Sequence, residues 1–252
     1  MGKFLTGCLL VGCVLGSAVW GGAAETAAPA AGDALSQGKA AWEKRTDMAE
    51  TRHAIELFQQ AAATPANAYE AKWRLCRGYW WLGNHVPAKE RPAVFEKGKL
   101  AGEEAVRLNP NAVEGHYWLG VCMGRYGEEH GILNSLFLVD PIAREMEAVL
   151  KLNPKHGEAQ FVLGVLYRKA PGWPVSRGDM KKSLAFAEQA VANNPELVLH
   201  HVGLARTLLA LNRNDEAKKE LQTALAIPGP ADRLPETADD KVEAQDVLKQ
   251  LR

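Results

Sequence analysis

The stretch LNPNAVEGHYWLGVCM, residues 108–123, returns 44 positions later as LNPKHGEAQFVLGVLY, residues 152–167. In each copy an Asn-Pro step closes one helical pattern, since proline cannot continue a helix, and a Leu-Gly pair stands nine residues further on inside the next pattern. The same halt recurs at TPAN, NNPE and AIPG, which places the prolines Pro65, Pro110, Pro154, Pro195 and Pro228 at intervals of 45, 44, 41 and 33. A recurrence at this period is the mark of stacked helical units, and it decides the architecture before any single motif does.

A second marker keeps the register. Leu119, Leu163 and Leu204 follow their prolines by nine residues and Leu75 by ten; each is followed by a small residue (Cys76, Gly120, Gly164, Ala205) and, three further on, by Tyr79, Met123, Tyr167 or Leu208. A small residue between large ones at helical spacing lets a neighbouring helix come close, so these positions are read as packing. The pattern predicts an all-α protein, a right-handed α-solenoid of helix pairs over 33–63, 67–107, 112–152, 156–193 and 197–226. The amphipathic tail KVEAQDVLKQL is expected to cap the last exposed apolar face. No stretch alternates with period two, so strands are not expected.

Composition narrows the class. With 47% apolar residues the chain can bury a core, and 30 basic against 30 acidic residues leave no field to recruit nucleic acid. The first 24 residues read as an export signal: Lys3, the apolar run FLTGCLLVGCVLGSAVW, and the small residues GGAA before Glu25. Residues 25–32 are an Ala/Pro-rich tether, and 33–252 the repeat domain. LVGC, ending at Cys13, resembles a bacterial lipobox, so cleavage after Ala24 and lipidation of Cys13 stand as alternatives, both placing the body in an extracytoplasmic compartment such as the periplasm. There Cys76 and Cys122 either form a disulfide or remain small buried residues.

The long intervals exceed the shortest because of expansions inside the pairs. GNHVPAKERP, GILNSLFLVDP and APGWPVSRGD all fall between the first and second helix of a unit, with helix starts expected at Pro92, at Asp140-Pro141 and at Asp179. Equivalent connections line one edge of a solenoid, and expansions along one edge often form a binding face. Ile132, Leu133, Phe137 and Trp173 on these segments are candidates for a ligand or subunit contact. Part of the apolar GILNSLFLVDP is expected to fold back on its own unit.

First-helix residues phased around the marker leucine form the expected concave wall: Trp73 and Arg77, Tyr117 and Val121, Phe161 and Val165, with Trp80, Trp81, Arg125 and Arg168 a turn beyond. An aromatic and aliphatic wall with few charges fits an apolar ligand site or a partner groove. No GxSxG, HExxH, P-loop or GxGxxG pattern occurs, and the histidines match no zinc spacing, so no enzyme, metal or cofactor is expected. RYGEEHG, with Arg125, Glu128, Glu129 and His130, reads as a helix-end ion-pair cluster.

YWLGVCM and FVLGVLY resemble first helices, and AIELFQQAAATP and KSLAFAEQAVANNP second helices, of the tetratricopeptide (TPR) repeat over about residues 33 to 228. The usual period of that repeat is shorter than three of the four intervals here. Within the superfamily, HYWLGVCMGRYGEEHGILNSLFLVDPIAREMEAVLKLNP and LGVLYRKAPGWPVSRGDMKKSLAFAEQAVANNP are similar to the T-component family of TRAP-type transporters. That resemblance implies a periplasmic lipoprotein that associates with a periplasmic binding protein, oligomerises and passes a hydrophobic small molecule. Eukaryotic microtubule-associated TPR proteins share similar expanded units and rank second, because the export signal is of bacterial type. The expected function is an accessory, ligand-binding transport component; the alternative is a cell-envelope protein-interaction scaffold.

Overall fold

A computed structural model describes residues 31–251. Ten helices pair in chain order: α1 (Ala31–Trp42) with α2 (Met48–Ala61), α3 (Pro65–His85) with α4 (Arg91–Leu108), α5 (Val113–Glu129) with α6 (Ile132–Leu152), α7 (Gly157–Lys169) with α8 (Met180–Asn193), and α9 (Val198–Ala210) with α10 (Asn214–Ala226). After a short 3-10 turn, Ala231–Arg233, the chain ends in α11 (Leu234–Lys249). Each helix packs on the next, and the first helices meet across units, α1 on α3, α3 on α5 and α7 on α9, the arrangement of an α-solenoid. No strand forms among the described residues beyond an isolated bridge between Gly172 and Gly178. The export signal, the tether and Cys13 lie outside the described residues.

The repeated leucines fill the core. Leu75, Leu119, Leu163 and Leu204 are buried, as are Tyr79, Met123, Tyr167 and Leu208. Each such side chain removed from water stabilises the fold by about 1.5–3 kcal/mol. The small residues between them are contact points. A Cβ on Gly164 would stand 3.3 Å from the backbone of α8 at Ser183 and Ala187, and one on Gly120 would overlap the Met146 side chain. Cys76 and Cys122 are free thiols whose sulfurs meet at 3.1 Å between α3 and α5, and burial pushes the Cys76 thiol up.

Six residues after three of the prolines stands a polar side chain that ties the turn to the second helix of its unit. His116 bridges the Pro110 carbonyl (2.9 Å) and Glu145 (2.6 Å). His201 bridges the Pro195 carbonyl (3.0 Å) and Glu220 (2.7 Å). Gln160 donates to the Pro154 carbonyl (3.1 Å) and accepts from Asn193 (2.7 Å). These histidines are therefore structural, each tying a turn carbonyl to the second helix of its unit.

Three expectations change. The second expansion is not a connection: α6 begins at Ile132, directly after Gly131 (φ 88), and carries Pro141 inside it, so Asp140-Pro141 is not a helix start. The hydrogen bond that Pro141 cannot donate belongs to the carbonyl of Phe137, on an exposed turn where water can serve it. Leu136, Leu138 and Val139 turn inward, while Ile132, Leu133 and Phe137 stay outside. The other expansions behave as read: Pro92 lies in the first turn of α4, and Asp179 caps α8 by accepting from the amides of Lys181 and Lys182. Second, α11 does more than cap. Ala244 and Val247 do bury against the last pair, but the amino-terminal half of the helix continues along the first helices toward α1. Third, Trp81 belongs to the core, its indole donating to the Arg45 carbonyl at 2.9 Å.

Candidate partner-binding groove

The first helices α3, α5 and α7 supply a wall of the solenoid, and the segment from Ala231 through α11 lies across it. Arg45, in the turn between α1 and α2, is 1% exposed. Its guanidinium grips Glu236 of α11 in a fork, Nη2 to Oε2 at 2.5 Å and Nε to Oε1 at 3.1 Å, and donates to the Asp232 carbonyl at 2.8 Å. Arg77 of α3 adds a third bond to Glu236 at 3.3 Å. Further along, Asp239 meets His85 (3.3 Å) and Glu243 meets Arg206 of α9 (2.9 Å), while Arg233 reaches back to Glu158 of α7 (3.0 Å). The chain's two ends are thus clasped through charges 191 residues apart.

Between this segment and the wall remains a cleft of ≈ 470 Å³, lined by Trp73, Arg77, Trp80, Val113, Glu114, Tyr117, Trp118, Asn153, His156, Glu158, Asp232, Arg233 and Glu236. Its aromatic side is continuous: Trp80 and Trp118 centroids are 5.5 Å apart, Trp118 and Tyr117 5.0 Å, Tyr117 and His156 5.2 Å. Arg77 stands over Trp42 (4.7 Å) and Trp118 (5.5 Å), so the guanidinium is held by ring faces as well as by Glu236.

Electrostatics follow from burial and pairing. Burial pulls the Glu236 carboxyl upward, but its hydrogen bonds to Arg45 outweigh that and leave it below the usual carboxylate range. Burial lowers Arg77, with Glu236 opposing, and burial raises the Tyr117 phenol. Asp240 of α11 is raised to about 7, first by burial and then by Glu243, Asp239 and Glu236, against the pull of Arg233. The buried Nε atoms of Arg77 and Arg168 have no hydrogen-bond partner among the described residues. Nothing here resembles a nucleophile with its base, and no group of three or more potential metal ligands occurs among the described residues.

Of the residues expected in the wall, Trp73, Arg77, Trp80 and Tyr117 come together in the cleft. Val121, Phe161, Val165 and Arg168 are half-buried on the first helices but do not line it. Phe161 stacks on His200 at 5.8 Å, and Arg125 pairs with Glu128 at 2.6 Å in the expected helix-end cluster, which Lys169 joins at 2.6 Å. Ile132, Leu133, Phe137 and Trp173 are 87%, 71%, 76% and 89% exposed on the expansion edge and take no part in the cleft. Trp118 and His156, and above all Asp232, Arg233 and Glu236, were not among the residues that helical phase singled out. The signal for the last was present: carboxylates at 236, 239, 240 and 243 share one face of a helix.

Helix pairs stacked in register, with the first helices forming one wall, define a TPR-like solenoid. A tetratricopeptide repeat profile matches residues 175–229, and the profile described as regulator of microtubule dynamics protein 1-3 matches residues 35–170, more than half of the chain. The chain belongs to that family. This is the relationship that the sequence reading placed second, and these matches lend no support to the T-component resemblance. Among solved structures the fold is similar to TTC0263, a thermophilic TPR protein of Thermus thermophilus, at 18% identity and a TM-score of 0.64 over 87% of this chain and 100% of that one. It is also similar to MamA 41-end from Desulfovibrio magneticus, at 16% identity and 0.52 over 79% and 97%. No curated protein matches the chain by sequence.

Proposed function

We propose that the chain is a non-catalytic protein-interaction scaffold whose first-helix groove receives a helical segment of a partner. The observation that carries this reading is that a helix already lies there: α11 is held across the groove by side chains from α3, α9 and the α1–α2 turn. TPR-like proteins generally bind proteins, and the family description fits such a role, since regulating a filament calls for a binding face rather than a reaction centre. The proposal includes export, on the strength of Lys3, the apolar run from Phe4 to Trp20 and the small residues before Glu25.

A second reading, an accessory component of a TRAP-type transport system carrying a hydrophobic small molecule, rests on the aromatic side of the cleft. It is the weaker one, because Glu114, Glu158, Arg233 and Glu236 share that space and an apolar ligand would have to desolvate them. The readings separate by photo-crosslinking in cells. With a photoreactive phenylalanine at position 73 or 117, the scaffold reading expects a discrete protein adduct that is missing with the probe at the exposed Leu100 of α4. A lipid-sized adduct from positions 73 and 117, with no protein adduct, would overturn it in favour of transport.

A further inference from the structure

We propose that α11 is an exchangeable occupant, and that the groove accepts in trans an acidic amphipathic helix with carboxylates at i, i+3/i+4 and i+7. This rests on the scaffold reading and names the partner's chemistry. The first ground is charge complementarity. Glu236, Asp239 and Glu243 stand on one face of α11, and the groove answers each: Arg45 and Arg77 for the first, His85 for the second, Arg206 for the third. Arg168, beside Arg206, adds a cation whose buried Nε has no hydrogen-bond partner among the described residues.

The second ground is that α11 fits imperfectly. Among the described residues Asp240 has no ion pair of its own, Leu234 and Val242 face solvent, and Arg77 and Arg168 keep buried Nε donors unused. Buried donors left unpaired cost more than paired ones return, so a helix that pairs them binds better than α11 does. The third ground is the tether. Ile227 to Pro230, with Gly229 at φ 82, is a turn outside any helix, so no helix has to break for the segment to leave and return. Tethering gives α11 an effective concentration in the millimolar range, which lets a weak internal ligand hold the groove until a stronger one arrives.

The test uses the whole chain with a protease site inserted after Gly229, so that cutting leaves α11 bound without a covalent link. The probe is a fluorescent peptide of residues 230–251, with a second peptide in which the paired carboxylates Glu236, Asp239 and Glu243 are replaced by Gln or Asn. The expected result is that the cut protein keeps its helical signal, exchanges α11 for the acidic peptide, and binds the amide peptide at least tenfold more weakly. The uncut protein takes up the acidic peptide at least tenfold more weakly than the cut one. A Glu236→Arg variant, left uncut, opens the groove and takes up the acidic peptide as the cut protein does. Loss of the helical signal on cutting and dilution, or equal binding of the two peptides, overturns the proposal. So does an uncut protein that dimerises with rising concentration and loses the dimer on Glu236→Arg, which would give the groove to a second copy. Partner crosslinks from positions 73 and 117 with no exchange of α11 would sink this inference and leave the scaffold reading standing; a lipid-sized adduct with no protein adduct would sink both.

Discussion

At the scale of single residues, the buried ion pair of Arg45 and Glu236 is the most consequential contact. Both side chains are almost wholly out of water, and the pair lies between the Trp42 and Trp81 rings and α11. Removing one partner leaves the other charge buried and unpaired, so Arg45→Ala should cost about 3–5 kcal/mol in chemical denaturation. Replacing both by apolar residues, Arg45→Met with Glu236→Leu, should restore most of that loss; a double variant as unstable as the single one would show that the pair's worth is not electrostatic. The sequence pointed poorly to this pair. Arg45 sits in EKRTD, a turn that phases with no helix, and Glu236 lies in a segment read only as the approach to a cap. Trp80 and Trp81 show the limit of phase itself: adjacent residues on a helix point about 100° apart, and only the neighbours of Trp81 turn it into the core while Trp80 lines the cleft.

At the scale of the element, α11 combines an apolar end, Ala244 and Val247, with a carboxylate face, and its docking should respond to pH through Asp240. The docked carboxyl titrates at about 7 against an ordinary value of 3.8. A carboxyl raised on docking favours the docked state where it stays protonated. Docking is therefore strongest on the acid side, weakens as pH rises from about 4, and bears the full penalty above 7. The Asp240→Asn variant should lose this dependence, so that between pH 5 and pH 8.5 the fall in Tm is smaller than for the unaltered chain. Identical falls would mean that Asp240 carries no such charge penalty. Helix α6 teaches a different lesson about elements. Asp followed by Pro is a favoured helix start, yet the apolar turns before it already form helix, a conformation that packs Leu138 and Val139 on their own unit.

At the scale of the whole molecule, a solenoid normally unfolds as a set of neighbouring units with limited coupling. Here the Arg45–Glu236 clasp joins the first unit to the last element, which should make the ends unfold together. Trp42, Trp73, Trp80, Trp81 and Trp118 lie in the first three units, and Trp173 of the fourth is already 89% exposed, so the fluorescence change on unfolding reports mainly the first units while circular dichroism reports the whole. The two signals should coincide in urea for the unaltered chain and separate in the Glu236→Arg variant. Separate transitions in the unaltered chain would show that the clasp does not couple the ends.

The architecture was determined by the sequence alone, because it depends on local rules: prolines that end helices, leucines and small residues in helical phase, and a period long enough for a helix pair. Part of the groove wall followed from the same phase, in Trp73, Arg77, Trp80 and Tyr117. Only the tertiary structure decided that the groove is occupied. Helical phase fixes which way a side chain points within its own unit, but not where a chain end almost two hundred residues away will return. That return is set by the match of the carboxylates on α11 to arginines and a histidine drawn from separate units, an energy that exists only once the solenoid has assembled.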